Sequence, residues 1–144
     1  MAFPGGVTMK QMATGMFVVS LLIVLMMGCR AGGQVYEVKD APIQTASAKE
    51  PTLEQVKKAI MDAGIKETWI MTPVKPGEML GEFNVQSHQI HVLIPYTTKT
   101  YSILYKDSSN LRYDPVKRTI HVNYQKWIER LDNEIKARLS AVGN

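Results

Sequence analysis

The feature that most restricts the fold is a stretch of period-two alternation over residues 79–105, cut by short turn sequences. Apolar and polar residues in alternation suit a half-buried strand and do not suit a helix. Residues 79–85 and 88–96 alternate, and 101–106 resume after Thr97-Thr98-Lys99-Thr100. A β-prone run at 68–74 precedes them across the turn Lys75-Pro76-Gly77-Glu78. Parity then sets the pairing, because a one-residue slip would send every apolar side chain to the wrong face. Phe83 belongs opposite Ile90 and Val85 opposite His88, which leaves Gln86-Ser87 as a two-residue turn. The next hairpin pairs Ile94 with Ile103 and Tyr96 with Tyr101. One face then carries Trp69, Met71, Phe83, Ile90, Val92, Ile94, Ile103 and Tyr105 as the expected core.

Two amphipathic segments flank these strands. Thr52 and Gln55 form a capping box, and Leu53, Val56, Ile60 and Ala63 share one helical face. Gly64 is expected to stop that helix, with Ile65 making a hydrophobic contact beyond it. At the other end, Asn123 is the expected cap. Tyr124, Trp127, Ile128, Leu131, Ile135, Leu139 and Val142 form an apolar stripe there. Glu129, Arg130, Asp132, Glu134, Lys136 and Arg138 are expected to fill the solvent-facing surface. Residues 107–118 read as loop and 119–122 as a short strand. The predicted class is α+β: a two-layer sandwich of N-terminal helix, antiparallel meander of about four strands, short fifth strand and long C-terminal helix.

Ahead of this domain lies an apolar run, MFVVSLLIVLMM, preceded by Lys10 and closed by Gly28-Cys29. A positive start, an apolar middle and small residues at the end describe a secretory signal. Met26, Met27 and Gly28 ahead of the single cysteine resemble the bacterial lipobox. That resemblance implies cleavage before Cys29, lipid attachment to Cys29, and a membrane partner reached through that lipid. Arg30 stands where the inner-membrane retention signal of such proteins places Asp, which implies the periplasmic face of the outer membrane. An uncleaved N-terminal helix in the inner membrane is the alternative, and a cleaved soluble product is a third reading. Met9-Lys10-Gln11 opens a more ordinary signal than Met1 does, so both starts stand. The expected organisation is 1–28 signal peptide, 29–51 lipidated cysteine and tether with part of it docking on the domain, and 52–144 globular domain.

Composition excludes several functions. One cysteine allows neither an intrachain disulfide framework nor a multi-cysteine zinc site. A net charge of +4, with basic and acidic residues interleaved, does not describe a nucleic-acid-binding stripe. His88 and His91 point to opposite faces of a strand and His121 lies on another element, so no metal site or other cofactor is expected. No nucleophile elbow, phosphate-cradling glycine loop or paired carboxylate appears, and no catalytic residue is assigned.

Two candidate sites remain. The parity argument lines up Leu80, Leu93 and Leu104 on the face away from the core, with Glu82, His91 and Lys106 in the next row. Either the segment 35–43 folds over these leucines or they meet a partner. Ser109, Asn110, Asp114 and His121 bracket the loop before the last helix. They either bind a ligand or hydrogen-bond the turn backbone.

The segments YSILY (101–105), SNLRYD (109–114), IHVNY (120–124) and WI (127–128) resemble a family of small uncharacterised proteobacterial lipoproteins. The family pattern is YSIxYxxSxNLxYD followed by IHxxYNxWI, and the likeness extends over about residues 35–135. Gln125 replaces the Asn of that pattern. The resemblance implies an envelope location and names no reaction. The expected function is a non-enzymatic, lipid-anchored domain that binds or helps assemble another envelope protein. A small-ligand or peptide sensor, or an enzyme of unrecognised class, is the alternative.

Overall fold

The computed structural model describes residues 32–47 and 49–143, so the expected signal segment 1–28 and Cys29 lie outside the described residues. Among the described residues no helix is long and apolar enough to cross a membrane. The elements in order are β1 (Gly33–Gln34), β2 (Val38–Pro42), α1 (Leu53–Lys66), β3 (Ile70–Lys75) and β4 (Glu78–Val85). Then follow β5 (His88–Pro95), β6 (Thr100–Ser109), β7 (Thr119–Ile120) and α2 (Asn123–Ser140). A five-stranded antiparallel sheet has the order β2-β6-β5-β4-β3, and β1 pairs with β7 in a separate ladder. The class is α+β.

The hairpin registers follow side-chain parity. Phe83 lies opposite Ile90, Val85 opposite His88, and Tyr96 bridges to Tyr101. Met79, Phe83, Ile90, Val92, Ile94, Tyr101 and Ile103 are buried on one face. Both helices pack there. Trp69 stacks on Phe83 at 5.0 Å between ring centroids, and Phe83 meets Trp127 of α2 at 5.5 Å. Each fully buried aliphatic side chain in such a layer stabilises the fold by about 1.5–3 kcal/mol.

Helix α1 starts as its sequence predicts. The Thr52 hydroxyl accepts from the Gln55 amide at 3.2 Å, and the Gln55 side chain accepts from the Thr52 amide at 2.8 Å. Its end differs from expectation. Gly64 lies inside the helix, and Ile65 is 63% exposed. A Cβ on Gly64 would overlap the Met71 Cγ and Sδ atoms, so the glycine serves the approach of β3 rather than termination. The reversal falls at Thr68, whose φ is +63°, and the Trp69 amide returns to the Gly64 carbonyl at 2.8 Å.

Helix α2 also departs from its expected cap. Asn123 is already helical, and its amide donates to His121 Nδ1 at 3.2 Å. The cap position falls on Val122, which offers no side-chain acceptor, and the His121 ring just before it accepts from the first helical amide. Asp132 is buried rather than solvated. It accepts from the Tyr101 hydroxyl and from Lys136 Nζ, each at 2.6 Å.

The sheet's fifth strand comes from the N-terminal side and not from residues 119–122. Segment 38–42, expected within the tether, pairs edge-on with β6: Val38 opposite Ile103, Ala41 opposite Tyr101. Two residues three apart face opposite sides of a regular strand. Here a bulge with Asp40 at φ +48° turns both Val38 and Ala41 inward. Glu37 continues the edge by side chain. Its Oε1 accepts from the Tyr105 amide at 3.0 Å while Oε2 meets Arg118 at 3.3 Å.

Candidate functional site

With both helices on one side, the other face of the sheet is the candidate surface. Thr72, Leu80, Leu93 and Leu104 lie opposite one another in turn across β3, β4, β5 and β6. The three leucines are half-buried. No described element lies across them. The expectation that segment 35–43 covers this row is corrected, because that segment spends its backbone hydrogen bonds on the edge of β6 and its apolar side chains on the helix side.

The neighbouring row also differs from expectation. A register shift between His91 and Val92 makes Lys106 the extra residue of β6, so Asp107 stands opposite His91. Residues 107–109, read as loop, therefore extend the strand. The row is Ile70, Glu82, His91 and Asp107, with Ile70 57% exposed. His91 Nδ1 bonds to the Asp107 carboxylate, and its Nε2 lies 3.6 Å from Glu82 Oε2. The Asn84 amide, donating at 2.6 Å, does most to hold the Glu82 carboxyl below its usual range. Partial desolvation opposes this, and Gln89 at 3.1 Å and His91 add to it. The two carboxylates approach opposite sides of one imidazole and do not converge on a shared point. Among the described residues no group of three or more His, Cys, Asp or Glu side chains is arranged to hold a metal ion.

The polar residues before α2 are spread over separate tasks. Asn110, at φ +60°, donates from Nδ2 to the Ser87 carbonyl at 2.7 Å, and its own carbonyl lies 2.9 Å from His88 Nδ1. The His88 ring lies 5.6 Å from that of His121 and 6.2 Å from Trp127. Asp114 Oδ1 accepts from the amides of Val116 and Lys117 at 2.9 Å each, closing its own turn. Ser109 sits on β6 opposite Gln89. The structure thus brings Asn110, His88 and His121 together and leaves Asp114 with its own loop.

His88 and Asp107 escaped sequence reasoning for different reasons. Strand parity separates His88 from His91 but says nothing about the proximity of His88 to His121. Asp107 depended on a bulge that no glycine or proline announces. The outer edge at β3 contains Pro73 and a second register shift, features that interrupt pairing with an added strand.

Compared with protein-family models, with characterised proteins and with solved structures, the chain finds no match.

Proposed function

We propose that this protein is a non-enzymatic lipoprotein of the bacterial envelope, held by lipid on Cys29 at the periplasmic face of the outer membrane. Its domain binds another envelope protein through the sheet face bearing Leu80, Leu93 and Leu104. The observation that carries the binding role is the half-buried leucine row on the face opposite the helices, which no described element crosses. A solvated antiparallel face is ordinarily polar, and an apolar strip rimmed by Glu82 and Asp107 has the layout of an interface core with a polar rim. The address rests on the apolar run ending at Cys29 and on the lipoprotein-like pattern between Tyr101 and Ile128.

A photo-crosslinking residue at position 93, in intact cells, tests the binding role. A discrete protein adduct is expected, lost with Leu80→Lys while the circular dichroism of the purified variant is unchanged. An adduct pattern indifferent to Leu80→Lys counts against it. For the address, Cys29→Ser should abolish incorporation of labelled palmitate and release the chain from membranes. Palmitate labelling that persists without Cys29 would sink it.

A further inference from the structure

The first turn of α1 meets the end of β3 at a concave site that none of the row leucines lines. Leu53 opens α1 and stays 37% exposed, while Val74, at the irregularity of β3, is 54% exposed. Both line one cavity of about 300 Å³, together with Pro73, Pro76 and Tyr96. Its walls are preformed. The capping box holds the first turn of α1, and two prolines fix φ in the hairpin on the other side. The Tyr96 amide donates to the Gly77 carbonyl at 2.8 Å, which ties the end of β5 to the same turn. A cavity of this size lies at the lower end of the range that small molecules occupy.

The polar groups of the cavity are few and nearly of one kind. Tyr96 is only 5% exposed, and its hydroxyl has no hydrogen-bond partner among the described residues. A buried phenol ordinarily finds an acceptor. This hydroxyl is not sealed off as that of Tyr124 is, so the accessible end of the ring is its polar end, at the cavity. Lys57 and Lys75 stand one on each wall. Each is engaged in a surface ion pair, Lys57 with Glu54 at 3.2 Å and Lys75 with Glu78 at 3.5 Å. Such pairs contribute little, so a bound anion draws on either cation at small cost. The positive end of the α1 dipole lies in the same turn, and Glu54 is the single acidic residue of the lining.

We propose that this cavity binds a small apolar carboxylate. An aromatic ring or branched hydrocarbon body sits between Leu53, Val74 and the prolines, and the anionic head accepts hydrogen bonds. A carboxylate is acceptor-only, which matches a set of one phenol donor and two ammonium groups. The site depends neither on lipid at Cys29 nor on a partner at the leucine row.

The test titrates full-length protein, reconstituted in lipid nanodiscs, into para-fluorophenylacetate and reads the fluorine NMR linewidth. Broadening beyond that caused by empty nanodiscs is expected at millimolar ligand, and the neutral para-fluorophenylacetamide should bind about tenfold more weakly. Tyr96→Phe, which removes the donor alone, should weaken the acid by about tenfold. Lys57→Gln with Lys75→Gln should weaken the acid and leave the amide unaffected. The lysine variant keeps the test decisive if Tyr96→Phe unfolds, because both cations lie in surface pairs and its melting temperature should be unchanged. No broadening above empty nanodiscs overturns the site. Equal binding of acid and amide overturns its anionic specificity. Binding of the acid that survives both sets of substitutions belongs to another part of the molecule and overturns the assignment to this cavity.

Discussion

The hydroxyl of Tyr101, at the start of β6, donates to the carboxylate of Asp132 in the middle of α2 at 2.6 Å, with both residues buried. This bond ties the helix layer to the sheet at a point where the core is otherwise apolar. Lys136 supplies the second partner of Asp132 from the partly exposed side of the helix. Removing the acceptor leaves a buried phenol without one. Asp132→Ala should destabilise the domain by about 2–3 kcal/mol in urea titration. Tyr101→Phe should cost less, and in the double variant the two losses should fall short of their sum.

The same burial produces a response to alkali. Tyr101 is pushed well above the ordinary phenol range, first by burial and then by its bond to Asp132. Burial also raises Tyr124, with Glu37 adding to it, and raises Tyr105. A group whose folded value lies above its unfolded one stabilises the fold fully below the unfolded value and loses that contribution as pH climbs toward the folded one. The melting temperature should therefore begin to fall above about pH 10. Phenolate absorbance of the native protein should show a late phase that coincides with unfolding, whereas the urea-unfolded chain should titrate in one step. Loss of the late phase under native conditions would contradict the burial of these hydroxyls. Tyr124 is a special case, since its hydroxyl is buried without a hydrogen-bond partner among the described residues.

Gly64 and Met71 form a second inter-element pair whose chemistry is steric. A methyl group on Gly64 must displace the Met71 side chain. Gly64→Ala would gain helix propensity in an open site, yet here the overlap should dominate and cost about 1–3 kcal/mol. Adding Met71→Ala to Gly64→Ala should recover part of that loss. If Gly64→Ala alone is stabilising in thermal melts, the close approach of β3 to α1 is wrong.

Asn110 separates a structural role from a ligand-binding one. Its amide bond to the Ser87 carbonyl and its positive φ predict that Asn110→Ala lowers stability by about 1–2 kcal/mol. Asn110→Gly loses the same bond but tolerates the backbone conformation, so it should fall less. An Asn110→Ala variant with an unchanged melting temperature would point back to a ligand.

Much of the fold was legible because local rules and packing agreed. The capping box at Thr52 and Gln55, the β4–β5 turn at Gln86-Ser87 and the leucine row all follow from periodicity and side-chain parity. Asp132 was partly legible: it adjoins Leu131 and lies between Ile128 and Ile135, at the border of the apolar stripe rather than opposite it. Asp107 opposite His91 was not, because an extra residue in a strand shifts everything beyond it and Lys106 carries no mark of a bulge.

By itself the sequence determined the α+β class, the hairpin registers and which face of the central strands enters the core, since these depend on spacings of two and 3.6 residues along one segment. Only the tertiary structure decided that 38–42 becomes an edge strand, that Gly64 makes room for Met71, and that Glu82, His91 and Asp107 share a row. Those outcomes depend on which distant segment supplies the partner for a backbone or a cavity, and no period within a single segment encodes that choice.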